Sequence, residues 1–139
     1  GYYIEIDFFN NAGSHAMIGD VSASEALRDF GSTTEPAYNF TASTAAQFAY
    51  TVHSTTTADT DASFLNTGSA CNSGAGDSLG LNCWMAPLTT GFRIVDRSTA
   101  AVSGATSTIT FKVNVPSGAT PVPVTDTYTA TATLSLFGK

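Results

Sequence analysis

Apolar and hydroxyl-bearing residues alternate along much of this chain, most plainly over residues 106–139. Ile109, Phe111, Val113 and Val115 alternate with Thr108, Thr110, Lys112 and Asn114. After a Pro-rich break, Tyr128, Ala130, Ala132, Leu134 and Leu136 alternate with Thr129, Thr131, Thr133 and Ser135. Side chains on a strand point to opposite faces at every step, so the pattern predicts two long half-buried strands with hydroxyl-covered outer faces, paired as a hairpin. The same alternation opens the chain, where Tyr2, Ile4, Ile6 and Phe8 interleave with Tyr3, Glu5, Asp7 and Phe9.

Further strands are expected over residues 15–21, 37–41, 47–53, 81–85 and 91–96, the third with Ala46, Phe48, Tyr50 and Val52 inward. Ser22 and Glu25 have capping-box spacing, and Gly31 can close the segment, so residues 23–30 read as one short helical turn. Residues 54–63 are nearly all Thr, Ser, Ala and Asp and read as an exposed loop, after which Phe64 and Leu65 return to the core. About eight strands separated by turn signals predict an all-β chain folded as a single antiparallel β-sandwich, Greek-key or jelly-roll-like. Residues 1–10 form a possible donor strand and residues 11–139 the sandwich domain.

Composition narrows the function. The chain has 139 residues, 42% hydrophobic and only 12% charged, with a net charge of −6. That supports one core and replaces surface charge with Thr and Ser. The five basic residues are scattered, so no stripe tracks phosphates, and nucleic acid is not an expected partner. No apolar run reaches the roughly 20 residues that span a bilayer. The pattern of a mature, exported chain after signal-peptide removal fits, with an extracellular or cell-surface location. Cys71 and Cys83 flank a Gly/Ser/Asn-rich segment and are spaced for a loop-closing disulfide, with no other Cys or His nearby for a metal site.

Catalytic chemistry has little to stand on, and no enzyme, cofactor or metal is expected. His15 and His53 lie far apart in sequence, and neither has ligand spacing. Glu5 and Asp7 share a strand face about 7 Å apart but need a cleft to act as a carboxylate pair. Asp59, Asp61 and Asp77 read as loop charges without a calcium-loop spacing. Asn39-Phe40-Thr41 is an N-glycosylation sequon, and the Thr/Ser-rich loop is a candidate O-glycan carrier. Trp84, Tyr2, Tyr3 and Tyr38 could form an aromatic platform for sugar rings, although Trp84 beside Cys83 reads more readily as core.

The strongest hint is an edge. Residues 2–9 are long, flat and free of Lys and Pro, the devices that usually blunt a sheet edge. Such a strand either pairs inside its own domain or completes a neighbour's sheet, with Tyr2, Ile4, Ile6 and Phe8 filling the acceptor's groove. A head-to-tail contact of that kind does not close, so repetition yields a filament.

Asp126-Thr127-Tyr128-Thr129-Ala130-Thr131-Ala132-Thr133-Leu134 resembles the closing strand of bacterial and archaeal surface β-sandwiches: chaperone–usher pilins, spore-coat-U-like subunits and TasA/camelysin-like filament proteins. The resemblance covers about a quarter of the chain, and the mid-chain Cys71/Cys83 pair departs from the early disulfide of typical chaperone–usher pilins. It implies a non-enzymatic polymer subunit or surface-layer component, which together with the edge strand reads as a homopolymeric filament or pilus assembled by donor-strand exchange. The alternative is a secreted carbohydrate-binding or adhesin module whose partners are surface glycans.

Overall fold

The computed structural model describes residues 1–9, 15–21, 26–31, 35–73 and 82–139. Ten strands run through them: β1 (Tyr2–Phe8), β2 (Met17–Gly19), β3 (Leu27–Asp29), β4 (Ala37–Tyr38), β5 (Ala46–Ser54), β6 (Cys83–Trp84), β7 (Phe92–Arg97), β8 (Ser107–Asn114), β9 (Tyr128–Ala130) and β10 (Ala132–Gly138). Two 3₁₀ turns, Thr57–Asp59 and Ala62–Phe64, are the only helical elements among the described residues. The chain is all-β, as expected, but built as several small sheets.

Two three-stranded sheets, ordered β10-β1-β7 and β3-β5-β8, carry most of the structure, with β2-β9 and β4-β6 as two-stranded additions. All pairs are antiparallel except β3 with β5. The alternating apolar residues of β1 and β5 meet between the larger sheets, where Phe8 packs on Phe48, Tyr50 and Phe111. Ile6, Phe8, Phe48, Tyr50, Val52, Phe64, Ile94 and Val95 are all buried. A second cluster, Phe30, Phe40, Ala49 and Trp84, covers the other face of β5. With both faces packed, β5 is the strand around which the core is arranged.

Several expectations change. The two long strands of residues 106–139 are not a hairpin: β8 pairs with β5, and β10 pairs with β1. Residues 115–127 cross between the two sheets, and the second strand breaks at Thr131 into β9 and β10. The expected helical turn is, in its described part, the strand β3, which lies parallel to β5 through Leu27↔Ala46 and Asp29↔Phe48; ladder pairing outweighs the local capping signal, whose Ser22 and Glu25 lie outside the described residues. The strand expected over residues 37–41 ends at Tyr38, because Asn39 takes a positive φ of 63°.

The Thr/Ser-rich segment is not simply an exposed loop. Asp59 and Thr60 are buried in it. Asp59 pairs with Arg97, and Thr60 Oγ1 accepts the Ser54 N–H at 3.0 Å. Composition suggested solvent, whereas one ion pair and one buried hydrogen bond hold these residues in.

Cys71 and Cys83 form the expected disulfide, their Cα atoms 5.8 Å apart. For a 12-residue separation, chain-entropy arguments put its contribution at about 3 kcal/mol. The bond fits an oxidising compartment. No helix among the described residues is long and apolar enough to cross a membrane.

A bare flank as candidate functional site

In β8, Ile109, Phe111 and Val113 stand opposite Val52, Tyr50 and Phe48 of β5. In β10, Leu136, Leu134 and Ala132 stand opposite Ile4, Ile6 and Phe8 of β1. Cross-strand partners share a face, so the apolar positions of both edge strands turn toward the core. They are not covered there. Phe111, Val113 and Val115 are 50%, 43% and 56% exposed, and Leu134 and Leu136 are 57% and 70% exposed. Between the strands opens a cavity of about 380 Å³ walled by Phe8, Met17, Phe48, Phe111, Tyr128 and Ala132. Among the described residues, one flank of the core is therefore bare.

The two edges bounding this flank are also unguarded. Neither β8 nor β10 has a strand beyond it among the described residues. Neither contains Pro, and Lys112 is the only charge in the two strands. Lys112 is folded onto the opposite face, where Nζ donates to the Phe40 carbonyl at 3.1 Å and lies 5.2 and 5.3 Å from the Phe40 and Trp84 ring centres. The charge that would deter edge pairing is engaged elsewhere.

The opposite sides of β7 and β5 are lined. The outer edge of β7 is met by Thr60 at Val95 and by the Asp61 N–H, which donates to the Ile94 carbonyl at 3.0 Å. The side of β5 away from β8 is met by β3, and then by Met85, whose backbone exchanges hydrogen bonds of 2.8 and 3.0 Å with Tyr50.

The residues singled out from sequence fall elsewhere. Tyr2, Ile4, Ile6 and Phe8 belong to the centre of their own sheet, laddered to β10 on one side and β7 on the other. Tyr2 and Tyr3 point to opposite faces of β1, and Trp84 is 3% exposed beneath Phe40 and Lys112, so these aromatics form no common platform. Tyr3 instead stacks on Phe137, ring centres 4.8 Å apart, with the Arg93 guanidinium 4.4 Å above it. Asn39 is exposed, as is Thr41 of its sequon. Asp77 lies outside the described residues.

His15 is part-buried beside Arg28 and Asp29. Its Nε2 faces Arg28 at 3.1 Å and its Nδ1 the Asp29 carboxylate at 3.7 Å. The Asp29 backbone N–H also donates to Nδ1 at 3.4 Å. Burial raises the Asp29 carboxyl above its ordinary range, while the Ala16 N–H and His15 pull it back down. No cluster of three or more His, Cys, Asp or Glu residues suited to a metal occurs among the described residues. Burial, reinforced by Glu35, pushes the Tyr50 hydroxyl well above the usual phenol value, and that hydroxyl has no hydrogen-bond partner among the described residues.

The bare flank itself was missed from sequence. Its only signal is the paired alternation of residues 106–139, which says which way side chains face but not whether a layer lies opposite. No protein-family model matches the chain, and no curated protein or solved structure matches it.

Proposed function

We propose that this protein is a structural subunit of an extracellular filament or pilus, a homopolymer joined head to tail by exchange of β1. The two larger sheets then act as one incomplete sandwich whose central strand comes from a neighbour. The observation that carries this reading is the place of β1: it fills the middle of a sheet, yet its ladder partners begin at Phe92 and Ala132. A slot made wholly by remote segments accepts the same strand from another copy with the same register, Ile4 opposite Leu136 and Ile6 opposite Leu134. Exchange of an identical element is a low-cost route to association, and the head-to-tail form does not close. Tyr2, Ile4, Ile6 and Phe8 are the donor residues. The disulfide and the scarcity of Lys and Arg suit an exposed polymer.

Electron microscopy of native material should show thin regular fibres, and a monodisperse monomer under every condition would sink the reading. A staple tests the exchange directly. Tyr3 and Phe137 are ladder partners with stacked rings, so Tyr3→Cys with Phe137→Cys should lock β1 to its own β10. Fibres should then fail under oxidising conditions and return when the staple is opened. Equal assembly with the staple closed would exclude β1 as the donor.

A further inference from the structure

We infer that the bare flank pairs with the same flank of a second copy about a two-fold axis, β8 beside the partner's β8 and β10 beside the partner's β10. Each three-stranded sheet then runs on into its counterpart as six strands. This contact goes beyond the exchange of β1, which leaves the β8 and β10 edges as bare as before.

Three observations select the occupant. First, the need is for strands: two backbone edges with unused ladder positions border an apolar surface, and a partner bringing only side chains would leave those N–H and C=O groups unpaired. Second, among the described residues these are the only long strands with an open edge: β1 and β5 lie inside their sheets, the outer edge of β7 is met by the Thr60–Asp61 segment, and every other strand is two or three residues long. An edge-on contact between copies therefore joins like flank to like flank, which is isologous and self-complementary. Third, charge and area agree. A chain of net charge −6 repels its own copies, but neither β8 nor β10 turns a charge to the flank, since Lys112 points away. Phe111, Val113, Val115, Leu134 and Leu136 leave roughly 350 Å² of apolar surface uncovered, judged from the area such side chains bury. A stable interface takes about 800 Å² per partner, a little over half of it apolar, so the five residues and the cavity walls supply the apolar core.

The antiparallel relation of each strand to its two-fold mate suits both edges at once. Phe111 and Val113 of one copy meet those of the other over the cavity mouth, and Leu134 and Leu136 do so on the second sheet. Thr108, Thr110, Thr133 and Ser135 remain outward as a hydroxyl surface.

The test is the concentration dependence of molar mass by light scattering, run beside backbone amide exchange of the purified full chain. The expected result is a doubling of mass, with the outward amides of β8 and β10 becoming protected as the dimer forms. Val113→Lys with Leu136→Lys places charge at two half-exposed positions that tolerate it in the single copy but not in the seam, and should weaken association by about 100-fold or more. A wild-type dimer that the double substitution leaves intact, or whose edge amides still exchange freely, would overturn the inference, because association then lies elsewhere. A chain monomeric at every concentration would also overturn it and leave the flank to a strand from a different protein. Fibres with freely exchanging β8 and β10 edges would refute this contact while sparing the proposed function. A protected-edge dimer that never forms fibres would do the reverse.

Discussion

Ile6 and Leu134 stand opposite one another in the same ladder, on the same face, in strands with the same alternation. Ile6 is 1% exposed and Leu134 57%. The second sheet repeats the contrast with Tyr50 at 0% and Phe111 at 50%. Two equivalent patterns thus meet two different fates, decided by what lies across the gap. The interior strands β1 and β5 have an opposing layer; the edge strands β8 and β10 face a space left open among the described residues. Alternation is a statement about pleat, and burial is a statement about layers.

Substitutions can break or sharpen that contrast. The largest effect belongs to Ile6→Ala, which removes fully buried methyl groups and should cost about 3 kcal/mol in urea unfolding. Leu134→Ala across the ladder should cost less than about 1 kcal/mol in the dilute monomer. Equal losses at the two positions would mean that the flank is covered even in a single copy. Next comes Tyr50→Phe, which deletes a buried hydroxyl without a partner and should raise stability by about 1 kcal/mol. Its pH counterpart follows from the raised phenol. That group favours the fold below the ordinary tyrosine value of about 10, and the advantage is lost as the pH climbs above it. Absorbance titration should show one of the five tyrosines ionising only as the chain unfolds.

The smallest effect lies on the outer face, away from the contrast. A hydrogen bond from Lys139, and then one from Arg93, holds the Asp96 carboxyl below its ordinary value of 3.8. A lowered carboxyl stabilises the fold above the unfolded value, and that contribution disappears as the pH falls through the lower folded value. Lys139→Ala should therefore reduce stability slightly at neutral pH and by less at pH 2, as followed by circular dichroism. A loss of equal size at both pH values would point to packing rather than charge.

Much of the strand content was legible because β1, β5, β7, β8 and β10 carry their alternation openly. The pairing was not. Residues 108–115 and 128–136 look like a hairpin because they are neighbours in sequence with a turn-rich break between them, yet the Pro-rich crossing carries one to each sheet. Leu27–Asp29 was hidden by a local capping signal that a parallel partner at Ala46 overrode. Asp59 was hidden by composition, since Arg97, which pairs with it, lies far along the chain. Cys71 and Cys83 were legible, because their spacing alone specifies a loop they can close.

The remoteness of the β1 partners also bears on how the molecule comes into being. Contact order is high when central pairings join residues near opposite ends of a chain, and folding slows as loop-closure entropy is met before the contacts that offset it. Here the middle strand of one sheet waits for residues 132–138, so a chain emerging vectorially keeps Tyr2, Ile4, Ile6 and Phe8 without that ladder until those residues have appeared. In the exchange proposed above, a finished neighbour and the chain's own late segments would compete for the same strand during that interval. Local subunit concentration at the site of emergence would then set how often the neighbour wins.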